Sequence, residues 1–364
     1  MDALAIVCRE EGRMAVEKIS VAEPKSGQLR VKILACGVCH TDSAARAGII
    51  PVPRPVVLGH EGVGIVESIG AGVRGFEVGD RVIIAFPSCG HCQNCLDGRP
   101  YACEELNRLF FTGELEGGER PYTNEKGEAI GAFFAQGSFS QYVLCDARNA
   151  VPVREEVDIT LLCSLACGVN TGAGAVLNRL DPKPGDSVAV FGCGGVGMAA
   201  IMAARIAGCS KVIAVDVVRE RLELALELGA TDAVNSAECD CVEKIKEITG
   251  GGADGSIECT GVPVVVQAAL KCLARCGTCV LCSVTGEAEV PIALEPMLMN
   301  PSVTLAGLTE GGSNPATFLP RLVRYYKEGR LPVDRLVEFY DFRDFERAFE
   351  DSHSGKVIKP VLKF

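Results

Sequence analysis

Cys89, Cys92, Cys95 and Cys103 form a C-x2-C-x2-C-x7-C run, which offers four soft thiolates within one loop. That is enough to close a tetrahedral zinc and leave no position for water. A second, dispersed set consists of Cys39, His60 in Gly59-His60-Glu61-Gly62, and Cys167. Two thiolates and one imidazole leave a fourth corner free, as a catalytic zinc requires. A closed site and an open site in one chain argue for a zinc enzyme. The rival for the tight run is an iron–sulfur ligand set, but Cys103 comes late and no proline follows it directly. His91 lies inside the loop and, with four thiolates available, is expected to stay solvated. For the dispersed set, spacing alone leaves core thiols as an equal alternative. His60 is its most telling member, because the chain has only four histidines.

A third constellation is Gly192-Cys193-Gly194-Gly195-Val196-Gly197, a G-x-G-x-x-G run directly after the apolar segment Ser187-Val188-Ala189-Val190-Phe191. In a strand–turn–helix context the first glycine allows the turn, the second lets a pyrophosphate approach the backbone, and the third lets helix and strand pack closely. The helix N-terminus then offers free N–H groups to phosphate. Asp216 ends the next apolar run, where an acid accepts hydrogen bonds from ribose hydroxyls and repels a 2′-phosphate. NAD is therefore expected over NADP, with Arg219 and Arg221 nearby to soften the preference.

The elements that must position these groups fall into two textures. Up to about residue 165 the chain has short Val/Ile runs, such as Leu29–Ile33 and Gly62–Val66, separated by Gly and Pro, which predicts a barrel-like β domain. From Asp186 the texture becomes strand then helix, repeated. Strands are predicted at 187–191, 211–215, 255–259 and 278–281, and helices at 196–208, 219–228 and 264–273. This reads as a doubly wound α/β domain with a parallel sheet. After about Ala306 a helix is expected over 318–328 and a last strand over 359–364. The tail would rejoin the first domain, leaving a cleft between two lobes. Glu104–Gly131 reads as a long acidic loop, of a length that is more often functional or interfacial than idle.

With 364 residues, 48% hydrophobic and 23% charged, the composition is that of a globular protein with room for two domains. A net charge of −11 disfavours nucleic acid and anionic membrane as partners. The acidic N-terminus lacks the pattern of a secretion signal, and no charge-free stretch reads as a membrane span. Nineteen cysteines without such a signal imply thiols in a reducing compartment, and the cytoplasm is the expected location. Those outside the two clusters, such as Cys272, Cys276, Cys279 and Cys282, are expected to be small buried hydrophobes.

In order along nearly the whole chain, Cys36-Gly37-Val38-Cys39-His40-Thr41-Asp42, Gly59-His60-Glu61-Gly62, the four-cysteine loop, Ala166-Cys167-Gly168 and Phe191–Gly197 resemble the zinc-dependent medium-chain alcohol dehydrogenases. The stretch Cys167–Ala175 is most similar to the benzyl (aryl) alcohol dehydrogenase branch. The resemblance implies a discontinuous GroES-like β-rich catalytic domain at 1–168 and 309–364, and a Rossmann NAD-binding domain at 169–308. It places Cys39, His60 and Cys167 on the catalytic zinc, with Glu61 able to swing toward the metal. A structural zinc on Cys89, Cys92, Cys95 and Cys103 makes two zinc ions per chain. Asp42 would hold His60 through its other ring nitrogen. Thr41 would take the proton from the alcohol. His40 and Lys359 would meet the cofactor pyrophosphate, and Arg221 would flank the ribose. Thr171, Gly192, Gly194, Gly195, Val196, Gly197 and Asp216 complete the cofactor site. The residue three beyond Thr41, a proton-relaying histidine in many members, is Ala44 here, so the last proton transfer must use water or another group.

The implied reaction interconverts primary alcohols and aldehydes by hydride transfer to or from NAD. Phe86, Phe133 and Phe134 align with pocket-lining segments of the family, which suits aryl or allylic alcohols; ordinary core is the alternative reading for these rings. The main competing substrate is S-hydroxymethylglutathione, which calls for a basic pocket mouth. A non-catalytic NAD-binding protein on the same fold would be supported by loss of a zinc ligand, and all are present. Partners are expected to be the small-molecule alcohol or aldehyde and other copies of the chain, as a homodimer or homotetramer.

Overall fold

The computed structural model describes residues 1–364. Contacts divide the chain into two units. One comprises Met1–Cys167, Asn314–Glu328 and Val333–Phe364, and the other Gly168–Ser313 and Gly329–Pro332.

In the first unit short strands with an apolar face pair mostly antiparallel; Val56–Val57 with Ala129–Ala132 and Val337–Asp341 with Lys359–Lys363 are the parallel pairs. Asp2–Glu10, Arg13–Val21, Tyr122–Thr123, Ala129–Ala132 and Val56–Val57 close a barrel. A second sheet runs Ala150–Pro152, Arg81–Ile84, Glu61–Ile69, Gln28–Gly37, Lys359–Lys363 and Val337–Asp341, with Tyr142–Asp146 also paired to Gln28–Gly37. Leu29, Val31, Ile33, Val66, Val82 and Ile84 are buried together beneath it. Register matters for the site. Gly37 lies opposite both Glu61 and Val361, so the first residues of the C-terminal strand are brought beside the Gly59–Glu61 turn.

The second unit is a six-stranded parallel sheet in the order Asp232–Asn235, Lys211–Asp216, Ser187–Phe191, Ala253–Glu258, Leu273–Leu281 and Thr304–Gly307. Helices Gly195–Ala207, Arg219–Glu227, Cys241–Thr249 and Pro263–Lys271 join its strands. The reversal of strand order at Ser187–Phe191 is the doubly wound switch point, outside whose carboxyl ends ligands bind. Together these are a GroES-like β domain and a Rossmann α/β domain.

Two expectations need correction. Glu104–Gly131 is not a structureless loop: it holds helix Leu106–Phe111 and strands Tyr122–Thr123 and Ala129–Ala132. Leu106, Leu109 and Phe110 repeat at helical spacing, and burying Leu109 and Phe110 outweighs the acidic, glycine-containing surroundings. Among the surplus cysteines, Cys272 and Cys279 are fully buried, but Cys276 is exposed and Cys282 only half-buried. Cys276 lies within strand Leu273–Leu281 at a register irregularity, with φ 62, where its side chain leaves the sheet. None of the nineteen cysteines is in a disulfide.

Candidate metal centres and dinucleotide turn

Asp42 organises the open cluster. It lies in helix His40–Arg46 and is fully buried. Its Oδ2 accepts from Cys39 N–H (3.1 Å), its Oδ1 accepts from Gly59 N–H (3.0 Å), and the same Oδ1 lies 3.0 Å from His60 Nδ1. One carboxylate thus fixes the backbone at Cys39 and the ring of His60. Because a carboxylate only accepts, Nδ1 carries a proton and Nε2 is the free position. His60 Nε2 is buried with no hydrogen-bond partner, a costly arrangement unless a ligand meets it. Ligand atoms of Cys39, His60, Glu61 and Cys167 all lie within 4.8 Å of one another. Burial opposes a charge on the His60 imidazole, but Asp42 and then Cys39 outweigh it and hold its pKa well above the usual range. The Cys39 thiol is held well below its usual range, first by its hydrogen bond with Cys167, against burial, and further by His60 and Lys359. The surroundings favour a thiolate at Cys39 and positive charge at His60, and a metal cation on Nε2 would supply that charge in place of a second proton, as in a Cys2His zinc site. Thr41 Oγ1 lies 3.7 Å from Cys39 Sγ, which brings the expected proton acceptor to the cluster.

Glu61, itself within this cluster, forms a buried ion pair with Lys359. Lys359 Nζ donates to Glu61 Oε1 (2.8 Å) and Oε2 (2.9 Å) and to Val38 O (3.3 Å), so all three of its N–H groups are used. A pyrophosphate contact by Lys359 would require this pair to open. Burial pushes the Glu61 carboxyl up, with Lys359 pulling against it. Lys359→Met strands a buried carboxylate and is expected to cost about 3–5 kcal/mol of stability. Most of that should return in Glu61→Gln/Lys359→Met, as denaturant unfolding would show; equal stability of Lys359→Met and wild type would refute the pairing as a structural element.

The four-thiolate loop is folded around its own sulfurs. Ligand atoms of Cys89, Cys92, Cys95 and Cys103 lie within 4.8 Å of one another. Cys89 N–H donates to Cys103 Sγ and Cys92 N–H to Cys89 Sγ, each at 3.3 Å. Such N–H donors stabilise thiolate. The Cys92 thiol is lowered to about 6, chiefly by the backbone at Glu104 and Cys95, whereas burial pushes Cys103 up to about 12. His91 is exposed, with Nδ1 on Cys89 O at 2.9 Å, and is outside the cluster. Four sulfurs and no other donor suit a closed zinc site.

In the second unit the glycine run opens helix Gly195–Ala207, with Gly194 at its N-cap. Gly192 adopts φ 89, a left-handed turn that a side chain would strain. A Cβ on Gly197 would overlap the Gly192 carbonyl oxygen, whereas one on Gly194 would meet nothing within 4 Å. The turn is thus packed tightly at its third glycine and open at its second, as a pyrophosphate cradle needs. Gly172 presses against the Val196 carbonyl, which sets the helix carrying Thr171 beside Val196 in the first turn. Asp216 is bound into the turn: Oδ2 accepts from Cys193 N–H (2.6 Å), and Oδ1 from Val217 and Val218 N–H (2.8 and 2.9 Å). It therefore fixes the glycine loop with lone pairs left for a ribose. Arg221 Nε is buried without a hydrogen-bond partner. His40, at the start of its helix in the first unit, is exposed.

The three phenylalanines expected along the pocket are nearly enclosed. Phe133 has no exposed surface, and Phe86 and Phe134 keep 3% and 4%. Phe134 stacks on the His60 ring. A residue missed in the sequence is Phe110, which stacks on Phe134 in turn. No single helix is long and apolar enough to cross a membrane.

Comparison with known proteins bears on both units. Residues 25–155 match the alcohol dehydrogenase GroES-like domain model and residues 195–324 the zinc-binding dehydrogenase model. The geraniol dehydrogenase of Castellaniella defragrans is 41% identical over 370 residues, spanning 100% of this chain and 98% of that protein. Alcohol dehydrogenase class-3 of Myxine glutinosa is 36% identical, spanning 99% and 96%. The crystal structure of benzyl alcohol dehydrogenase from Acinetobacter calcoaceticus superposes with a TM-score of 0.96 at 38% identity, covering 100% and 99%.

Proposed function

The chain belongs to the zinc-dependent medium-chain alcohol dehydrogenase family, and from that premise we propose that it interconverts primary aryl or allylic alcohols and aldehydes with NAD as hydride carrier. The observation that carries the reading is the buried, unpartnered His60 Nε2 beside the sulfurs of Cys39 and Cys167. Zinc there would supply a Lewis acid for the alcohol oxygen, and NAD the hydride acceptor. A second zinc at the four-thiolate loop would complete the metal content.

The residues divide the remaining work. Cys39, His60 and Cys167 would hold the open-site metal, Asp42 fixes the tautomer and plane of His60, and Lys359 ties down the Glu61 carboxylate beside them. The Thr41 hydroxyl takes the substrate proton. With Ala44 in the position of a relaying histidine, the proton leaves through water. Gly192, Gly194, Gly195, Val196 and Gly197 receive the pyrophosphate, and Thr171, Asp216 and Arg221 flank the rest of the cofactor.

Geraniol and benzyl alcohol both carry the hydroxyl one carbon from a π-system, and the names of the two relatives support that substrate class. In the loop that would have to hold an anionic thiol adduct, Arg108 is already paired with Glu105 at 2.6 Å. Benzyl and allylic alcohols are therefore expected to exceed ethanol in kcat/KM by about tenfold or more, followed by nicotinamide absorbance. Turnover of formaldehyde only with glutathione, and none of benzyl alcohol, would replace this substrate assignment.

Asp216→Ala is expected to lower the NAD/NADP ratio of kcat/KM by about tenfold or more, because a carboxylate that repels a 2′-phosphate is lost. An unchanged ratio would show that the acid serves only to brace the loop.

A further inference from the structure

The closed loop and the open cluster are joined by stacked rings. Helix Leu106–Phe111 begins just after Cys103, and Leu106 N–H donates to Cys103 O at 3.1 Å. The last thiolate and this helix are therefore tied together. Phe110 on that helix faces Phe134, with centroids 3.9 Å apart and planes 14° from parallel. Phe134 in turn covers the imidazole of His60 at 4.6 Å and 28°, while Phe133 meets the same ring edge-on at 5.8 Å.

Phe134 does not occupy this place through an easy backbone. It has φ 52 and ψ 35, and Ala135 follows with φ 49, two successive side-chain-bearing residues in the left-handed region. Such conformations persist only where the surroundings over-determine them. Here Gln136, 1% exposed, is bonded on both sides: its carbonyl accepts from Tyr122 OH at 2.7 Å and its amide donates to Ala85 O at 3.4 Å. The hydrogen bond of Asp42 fixes only the Nδ1 edge of His60, and a ring held at one edge can still tilt. The flat face of Phe134, itself backed by Phe110, lies against that ring.

We infer that Phe110 and Phe134 are positioning residues that transmit the order of the four-thiolate loop to His60, so that the closed metal site helps hold the open one. This rests on the reading that Cys39, His60 and Cys167 bind zinc. It assigns the closed loop a part in the chemistry beyond stapling the fold, and it makes retention of the open-site metal depend on residues that touch neither metal.

The test uses full-length protein and the variants Phe110→Leu, Phe134→Leu and their double. Zinc release from the open site to a chromogenic chelator is timed, zinc kept at the four-thiolate loop serves as internal reference, and the visible bands of cobalt substituted at the open site report ligand geometry. Phe110→Leu should release open-site zinc about fivefold faster or more, within the range for outer groups around a metal ligand. It should also shift the cobalt bands and leave the loop metal in place. The double variant should do little more than either single, because both break one stack. If Phe110→Leu does not fold, Phe110→Met removes the same ring. Wild-type release rate and bands in a folded Phe110 variant, or fully additive effects, would overturn the inference. A wild-type protein with no metal at the open site would instead overturn the reading beneath it.

Discussion

Cys39→Ser should lower kcat/KM for benzyl alcohol by about a thousandfold or more, a loss of roughly 4 kcal/mol in transition-state stabilisation. The size follows from what the sulfur does. In the proposed site Cys39 is one of two thiolates in the Cys39, His60, Glu61 and Cys167 cluster, and its thiol is already held low by its neighbours. A serine hydroxyl is a harder and less acidic ligand, and it leaves His60 Nε2 again without a strong partner. The damage should stay local. The Cys39 N–H bond to Asp42 is made by backbone and survives the substitution, and the glycine turn and Asp216 belong to the other unit. Calorimetric NAD affinity, thermal stability and metal at the four-thiolate loop should therefore change little. Retention of activity within tenfold would remove Cys39 from the reaction.

Cys95→Ser should act on folding first. Its sulfur lies 3.9 Å from Cys89 Sγ, in a loop whose short turns, Gln93–Leu96 and Pro100–Ala102, bury too little to hold their shape unaided. In such segments metal binding is folding free energy. Losing one of four ligands should cost about 3 kcal/mol or more, lowering Tm by roughly 6 °C or more for a unit of this size. If Phe110 and Phe134 transmit the order of this loop, Cys95→Ser should also lose open-site zinc faster below its melting temperature. A Cys95→Ser protein with wild-type Tm and one fewer zinc would show that the loop folds without its metal.

What was legible in the sequence was what local pattern encodes. Ser187–Phe191 could be placed to the residue, because a short buried run carrying Val188 and Val190 just before a glycine turn has few other readings. The neighbouring helix needed only its apolar repeat and Gly208, which closes it at φ 88. Helix Leu106–Phe111 was lost because it is short and set among acids and glycines, although the spacing of Leu106, Leu109 and Phe110 was there to be read. The pairing of Lys359 with Glu61 spans 298 positions, and only the register of Gln28–Gly37 with its two neighbours creates it. Asp216 was recognisable as an acid at a strand end, but its three backbone donors depend on the turn having folded. The ring stack from Phe110 to His60 has no sequence signature at all, since it depends on a left-handed backbone at two residues with side chains.

The central claim is that the metal held by Cys39, His60 and Cys167 carries alcohol oxidation. The direct measurement withdraws zinc stepwise from the full-length wild-type protein with a chelator, recording zinc per chain and benzyl alcohol turnover on the same samples. The open site, with three protein ligands, should empty before the closed one, and turnover should fall in proportion, reach zero with about one zinc per chain remaining, and return on adding zinc. Full turnover in protein that retains only the four-thiolate zinc would contradict the account.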